Sequence, residues 1–390
     1  MSASLLVIAG EPSGDLHAAS VVDALRTKVS DLTIFGIGGD RLAASGAEIL
    51  VHIREMAVFG PFAAIRRAPH FHRVFRQVLT EARIRKPGAA LLVDYSGFNL
   101  RLAKSLHRLG VKVLYFISPQ VWASRPGRIE TMARVVDRLM VIFPFEPKIY
   151  EGSGLRVDFV GHPLKDAVAE HLAGPESNLP WTGEPHVALL PGSRKQEIER
   201  ILPVLMEAAY RIGHLLPQSS FIVAAPDDEA AALIRQNLGK AVKQVERLLV
   251  VSGRTMEILR QSRAALVASG TATVESALVG CPMVIVYRTS PMFFALAKRV
   301  VKVPYIGMVN LIAGREVCPE LIQDDATGSA AAKALFPLIE STVARTEMIQ
   351  ALQEVARRLG PGGAANKAAD VIVSELNCSC GKTGDEQEGV

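Results

Sequence analysis

Cysteine is scarce in this chain of 390 residues: only Cys281, Cys318, Cys378 and Cys380 are present, and none stands in a CxxC pair. The zinc spacings are therefore missing, and a disulfide scaffold is not expected at this length, which points to a reducing compartment. Aromatic residues make up 6%, too few for the stacking platforms that grip single-stranded nucleic acid. Glycine and proline, 31 and 22, follow no period, so collagen-like and low-complexity chains are excluded. No uncharged apolar run reaches the ~18 residues of a spanning helix. The longest candidate, Ala264 to Tyr287, is broken by Glu275, Gly270, Gly280 and Pro282. Also absent are GxGxxG, the Walker loop, HExxH and any Asp-x-Asp. A dinucleotide fingerprint, a P-loop and a metal-chelated diphosphate are thus not signalled.

The chain is 49% hydrophobic and 21% charged, enough apolar material for a large core. Its length suggests two domains. A net charge of +5 and a pI near 9.0 suggest an anionic partner without demanding nucleic acid. Residues 2–10 are apolar, have no Lys or Arg before Arg26, and are followed at once by Glu11 and Asp15. That pattern predicts a buried first strand, not a secretory leader.

Short apolar runs alternate with helical patterns. Leu5–Ala9, Ala90–Val93, Val111–Ile117, Leu139–Phe143 and Asp158–Val160 each end in a turn signal. A stretch with three prolines and two glycines follows, Ala173 to Pro185, and reads as a linker. The alternation then restarts at Val187–Leu190, Phe221–Ala225, Leu248–Val251, Ala264–Ala268 and Met283–Val286. This predicts an α/β protein of two Rossmann-like doubly wound domains, 1–172 and 186–358, facing a cleft. One late helical stretch is expected from Ser329 to Arg358. A further helix within 359–377 is placed against the N-terminal domain, and 378–390 reads as a disordered tail.

In open α/β sheets ligands bind beyond the carboxyl ends of the strands. Four loops there are rich in small and functional residues. Gly10-Glu11-Pro12-Ser13-Gly14-Asp15 opens a helix. Asp94-Tyr95-Ser96-Gly97 follows a buried strand, where a carboxylate can be held protonated to higher pH and suits a general base. Leu190-Pro191-Gly192-Ser193-Arg194-Lys195 offers helix N-terminal N–H groups and a bidentate guanidinium to a phosphate. Ser269-Gly270-Thr271-Ala272-Thr273 leads to Glu275, a carboxylate able to accept from both hydroxyls of a ribose. In each case the alternative is a capped turn with a solvated side chain. Gly36-Ile37-Gly38-Gly39 is taken as a loop after the second strand. Residues Met56 to Lys86 interleave apolar Phe59, Phe62, Phe71 and Phe75 with Arg66, Arg67, Arg73, Arg76, Arg83 and Arg85, and Glu81 is the only acid among them. This basic amphipathic segment reads as a membrane-surface element, against the alternative of a helix burying one face.

Taken together, the motifs resemble those of the bacterial lipid-A-disaccharide synthases, inverting glycosyltransferases of the GT-B type. The matching stretches are GEPSGD (10–15), DYSGFNLRL (94–102), SPQVWASRPGRI (118–129), FPFEPKIY (143–150), GHPL (161–164), LLPGSRKQEI (189–198), ASGTATVESAL (268–278), CPMVIVYR (281–288) and 296–323. They run in order over nearly the whole chain. Gly97 stands where some relatives carry a second Asp, and Ser124 where many carry Trp. The resemblance implies transfer of a diacylglucosamine unit from UDP-2,3-diacylglucosamine to the 6-hydroxyl of 2,3-diacylglucosamine 1-phosphate. The product is a β(1→6) disaccharide 1-phosphate, made without metal or other cofactor. It further implies Asp94 as base, with Glu11, Asp15 and His17 as alternatives. Gly192, Ser193, Arg194, Gly270, Thr271 and Glu275 would hold UDP, and Asn310 and Arg315 would line the site near the sugar or phosphates. Phe59, Phe62, Arg66, Arg67, Phe71 and Phe75 would contact an anionic inner-membrane surface or acyl chains. The expected location is cytoplasmic and peripheral to the membrane, as a monomer or homodimer, with no nucleic-acid partner. The rival readings are a UDP-N-acetylglucosamine 2-epimerase or the lipid-II-forming glucosaminyltransferase, an NAD-dependent oxidoreductase, and a non-catalytic binding protein.

Overall fold

The computed structural model describes residues 4–56, 68–121, 127–239, 245–301, 303–340 and 343–380. The chain divides into two compact units, Met1–Pro163 with Pro361–Val390, and Leu164–Gly360. The first unit holds β1 (Ser4–Ala9), β2 (Thr33–Gly38), β3 (Glu48–His52), β4 (Ala89–Val93), β5 (Lys112–Phe116), β6 (Arg138–Val141) and β7 (Val157–Phe159). They form one parallel sheet in the order β3-β2-β1-β4-β5-β6-β7. The second unit holds β8 (His186–Leu190), β9 (Ser220–Ala225), β10 (Leu248–Ser252), β11 (Ala264–Ala268), β12 (Met283–Tyr287) and β13 (Glu320–Ile322), in the order β10-β9-β8-β11-β12-β13. In both sheets the order reverses beside the first strand, between β1 and β4 and between β8 and β11. Those two switch points are where a doubly wound sheet leaves a crevice for a ligand.

The strands read as unbroken apolar runs because helices cover both faces of a parallel sheet. Leu5 through Ala9 and Ala89 through Val93 are wholly buried, and Leu6, Ile8, Phe35, Leu92 and Tyr115 share one core. Three strands escape the sequence pattern. β2 carries Gly36 and Gly38 inside the strand, not in a loop after it. A Cβ on Gly36 would stand 1.8 Å from the Val7 carbonyl oxygen, so β1 packs too closely for any side chain, and the β2–β3 register shifts at this point. β3 and β13 are short edge strands of mixed polarity.

Two expected boundaries move. The first unit ends at Pro163, and the Leu164–Ala173 helix packs on the Thr271–Val279 helix of the second unit. The Ala173–Pro185 stretch is bound to that unit. Arg260 donates to the His171 and Gly174 carbonyls, Gln261 to Ser177 and Arg254 to Asn178, while the Trp181 ring stacks on His186. Those donors satisfy backbone that proline leaves without a ladder, so a proline-rich composition here does not make a free linker. The Ser329–Arg358 stretch is two helices, Gly328–Ile339 and Val343–Arg358. Lys165 donates to the Ala356 and Gly360 carbonyls, closing the end of the second. The chain then returns through Gly360, Gly362 and Gly363, all at positive φ. The Ala364–Cys380 helix packs on the Pro12–Arg26 helix of the first unit. Its buried Glu375 meets Arg156 at 2.9 Å, Lys112 at 3.3 Å and Arg138 at 3.5 Å, and Asp370 meets Lys28 at 2.7 Å. Residues 381–390 lie outside the described residues.

Where it is described, the basic segment is helical. The Ala68–Arg85 helix buries Val74, Val78 and Ala82, and Phe71 and Phe75 spend their rings on Phe98 at 6.5 and 5.8 Å. These two phenylalanines are partly buried and pack against the core of the first unit. Arg85 pairs with Glu48 and Glu81 and covers the Phe35 ring, leaving Arg73, Arg76 and Arg83 exposed. Phe59, Phe62, Arg66 and Arg67 lie outside the described residues. Among the described residues no helix is long and apolar enough to cross a membrane.

Candidate functional site

At the first switch point Ala9 and Val93 are register partners, which sets Gly10 beside Asp94. A side chain on Gly10 would collide with the Tyr95 ring, its Cβ 2.4 Å from Cδ1. Asp94 and Tyr95 are both left-handed, at φ +45. Two consecutive non-glycine residues there are strained, and strain of this kind gathers at functional loops. The surroundings hold it in place. The Asp94 N–H donates to Phe116 at 3.0 Å, while the Asp94 carbonyl accepts from Tyr115 Oη at 2.5 Å and Asn99 Nδ2 at 2.8 Å. Burial pushes the Asp94 carboxyl up to about 6, the Glu11 charge adds to the rise, and the Tyr95 N–H opposes it. Glu11 itself is exposed.

Asp15 is different. It is 3% exposed, and its carboxylate accepts from the Gly39 N–H at 2.5 Å, Arg41 at 3.2 Å and Leu42 at 3.3 Å. It ties the first helix to the loop after β2, leaving it little capacity for a substrate proton. His17 is held below the usual imidazole range by burial, and buried His162 is driven down to about 3 by burial with the His17 charge adding. Both rings are neutral near pH 7.

At the second switch point the loops after β8 and β11 come side by side, with Leu190 opposite Val267. Gly192 sits at φ +102, and the Ser193 and Arg194 N–H groups both donate to Glu197 Oε2, at 3.2 and 3.3 Å. The expected phosphate cradle of this loop is therefore filled by the chain's own carboxylate. A helix N-terminus recruits the nearest anion, and Glu197 stands three residues into the capping box. The Arg194 side chain is exposed and bonds the same carboxylate at 3.1 Å. The loop after β11 is open. Nothing lies within 4 Å of a Cβ at Gly270, and the Thr273 N–H turns back to the Gly270 carbonyl at 3.1 Å. Glu275, half-buried on that helix, has its carboxyl pushed up to about 7 by burial, with Glu257 adding to it.

Asn310 stands on the Met308–Ala313 helix. It is wholly buried, its Nδ2 donates to the Cys318 carbonyl and Glu320 Oε1, both at 2.8 Å, and its Oδ1 accepts from Val317 and Cys318. Its hydrogen-bonding capacity is spent on folding the loop before β13. Arg315, in the same loop, is exposed.

Residues 5–372 match the family model of lipid-A-disaccharide synthetase. The chain belongs to the lipid-A-disaccharide synthase family. It is 40% identical to the lipid-A-disaccharide synthase of Acidobacterium capsulatum over 393 residues, 96% of each chain. It is equally similar to that of Myxococcus xanthus over 380 residues, covering 95% of this chain and 97% of the relative. Among solved structures it resembles a UDP-GlcNAc 2-epimerase from Neisseria meningitidis bound to UDP-GlcNAc, with TM-score 0.60, 11% identity, and 96% and 100% of the two chains covered. It also resembles the calicheamicin glycosyltransferase CalG4, with TM-score 0.59, 14% identity, and 96% and 98% covered. These two likenesses establish the fold, the GT-B pairing of doubly wound domains.

Several residues that shape these loops carry no signal of that role, although Asn99 and Glu320 lie inside the matching stretches. Tyr115 and Asn99 hold the Asp94 backbone, yet one is an apolar strand residue by pattern and the other a helix residue. Glu257 influences Glu275 from a separate helix. Glu320 receives the Ile306 and Gly307 N–H groups, both at 2.9 Å. Only Glu197 was findable, from its place three residues after the Gly-Ser-Arg turn.

Proposed function

We propose that the protein condenses UDP-2,3-diacylglucosamine with 2,3-diacylglucosamine 1-phosphate to the β(1→6)-linked disaccharide 1-phosphate and UDP. Family membership carries the reaction, and the state of Asp94 carries the assignment of the base. Its carboxylate takes the proton of the acceptor 6-hydroxyl. The oxygen attacks the anomeric carbon from the face opposite the diphosphate, a C–O bond forms with inversion, and the bond to UDP breaks with its electron pair leaving on the diphosphate. A carboxyl lifted to about 6 is a stronger base than a solvated one and is still ionised at neutral pH.

For the donor, Glu275 accepts from the ribose hydroxyls, and the N-terminus of the Thr271–Val279 helix at Gly270 and Thr271 receives the diphosphate. Arg194 swings from Glu197 to the developing negative charge. The open space at Gly270 and the filled nest at Gly192 support placing the phosphates on the former. Glu11 tunes Asp94, and Asp15 holds its loop. We further assign the enzyme to the cytoplasmic side of an anionic membrane, for which the exposed Arg73, Arg76 and Arg83 are the support in the first unit.

The test is incubation with both acylated substrates and mass analysis of the products. A disaccharide 1-phosphate with one equivalent of UDP is expected. Epimerised UDP-sugar, or UDP release without a new disaccharide, overturns the reading. Stabilisation against heat by UDP and not by NAD is the cheaper check.

A further inference from the structure

The largest concentration of uncovered apolar side chains among the described residues lies far in sequence from the segment expected to meet a membrane. Among the described residues, twelve large hydrophobic side chains are exposed, and four of them fall within 292–301. The other eight are scattered singly along the chain. The Pro291–Val300 helix is closed at its start by Pro291 and by Ser290, whose Oγ accepts the Phe293 N–H. Met292, Phe293 and Leu296 are 84%, 56% and 60% exposed, and among the helix's described side chains Phe294 and Ala297 are the less exposed ones. With one-hundred-degree steps, Met292, Phe293 and Leu296 share one arc of the helix and Arg299 borders it. A helix whose described side chains, 291–299, are so little buried is not explained by packing within its own unit.

The charge around it is of one sign. From Ser276 to Arg315 there is no Asp or Glu, while Arg288, Lys298, Arg299, Lys302 and Arg315 are all basic. Arg288, Lys298 and Arg299 are exposed. A second copy of the same face would bring cation against cation, whereas an anionic lipid surface satisfies both the apolar arc and its basic border. We propose that the Pro291–Val300 helix is a membrane-docking helix of the second unit, lying in the headgroup region of an anionic bilayer with Met292, Phe293 and Leu296 inserted. The proposal takes its partner from the proposed use of membrane-held substrates, and its test uses no substrate, so that the two fail separately.

The full chain is sedimented with vesicles of phosphatidylethanolamine and phosphatidylglycerol. Met292→Ser, Phe293→Ser and Leu296→Ser together should lower the partition coefficient at least about tenfold, with UDP affinity and unfolding temperature unchanged. Lys298→Gln and Arg299→Gln should each lower it about fivefold at low salt and flatten its salt dependence. Phe293→Trp should add fluorescence that brominated phosphatidylglycerol quenches, a readout independent of any other lipid contact in the chain. An unaltered partition coefficient in the triple variant overturns the proposal, as does a Phe293→Trp signal that brominated lipid does not reach. A fall in oligomeric state in the triple variant also overturns it, because the face would then join copies of the chain. So does retained vesicle binding with weakened affinity only for long-acyl donors, because the helix would then line an acyl groove. Disaccharide formation from detergent-dispersed substrates tests the proposed reaction separately.

Discussion

Replacing Asp94 with Asn should make the protein inactive and more stable at once. Burial and the Glu11 charge raise this carboxyl from 3.8 to about 6, so the folded state holds the proton more tightly than the unfolded chain does. At about 1.36 kcal/mol per pKa unit, carrying the ionised group costs the fold about 3 kcal/mol above pH 6. The penalty shrinks as pH falls from 6 and is gone below 3.8. Asn keeps the shape, tolerates φ +45 at least as well, and leaves the backbone bonds to Phe116, Tyr115 and Asn99 in place. The amide still loses some water on burial, so 3 kcal/mol is an upper bound. At roughly 2–4 °C per kcal/mol for a unit of this size, the unfolding midpoint at pH 7.5 should rise by several degrees, and the gain should vanish near pH 4. Turnover of the acylated substrates should fall about 10²–10⁴-fold while UDP affinity is kept. In the parent enzyme kcat/KM should decline below pH 6 as Asp94 takes a proton. Calorimetry at pH 7.5 and 4 beside a product assay reads both effects. Turnover within tenfold of the parent, or a variant less stable at both pH values, would refute the reasoning.

Glu275→Gln should weaken UDP binding by about 10–100-fold by calorimetric titration, since hydrogen bonds to a charged group are worth about 1.5–3 kcal/mol. In the parent, UDP affinity should fall as pH drops below about 7, where the Glu275 carboxyl takes up its proton. Asn310→Ala should cost about 2–4 kcal/mol in urea denaturation, because it strands the Val317 and Cys318 N–H groups and the Cys318 carbonyl, yet leave UDP affinity of the folded protein intact. Asp15→Asn should likewise lower stability, by about 1–3 kcal/mol, and should not move the acidic limb of the pH–rate profile that belongs to Asp94.

The sheet cores were legible because a strand covered on both faces must be apolar throughout; Leu5–Ala9, Ala264–Ala268 and Met283–Val286 are instances. β2 was not delimited, because Gly36 and Gly38 read as loop residues when the real constraint is the Val7 carbonyl pressing on the strand. The boundary at Pro163 was hidden for a related reason. The Pro/Gly-rich stretch beyond it looks unstructured, and only the tertiary fold supplies Arg254, Arg260 and Gln261 to hold its carbonyls. In the loops beyond the strands, the residue types were legible and their hydrogen-bond partners were not. Nothing local to Asn310 says that its amide is consumed by Val317, Cys318 and Glu320. The Gly-Ser-Arg turn reads as a phosphate cradle, and nothing within the turn itself says that its Ser193 and Arg194 N–H groups donate to Glu197.

What separates working carboxylates from structural ones is how their acceptor capacity is used. Asp15 and Asp94 follow neighbouring strands at one switch point, and Asp94 is the expected base with Asp15 among the alternatives. Asp15 takes three backbone N–H groups, which fixes its position and occupies the lone pairs a substrate proton would need. Asp94 has its backbone gripped by Tyr115, Asn99 and Phe116, while its side chain is desolvated beside another acid. The same contrast recurs in the second unit. Glu320 receives Ile306, Gly307 and Asn310, whereas Glu275 is half-buried with the Glu257 charge against it. A carboxylate held in place through its backbone, with its oxygens left poorly solvated, stores free energy that a ligand's hydroxyl releases. One whose oxygens are already satisfied has none to give. On that ground we propose Asp94 for the chemistry and Glu275 for the ribose, with the loops around them shaped by Asp15 and Glu320.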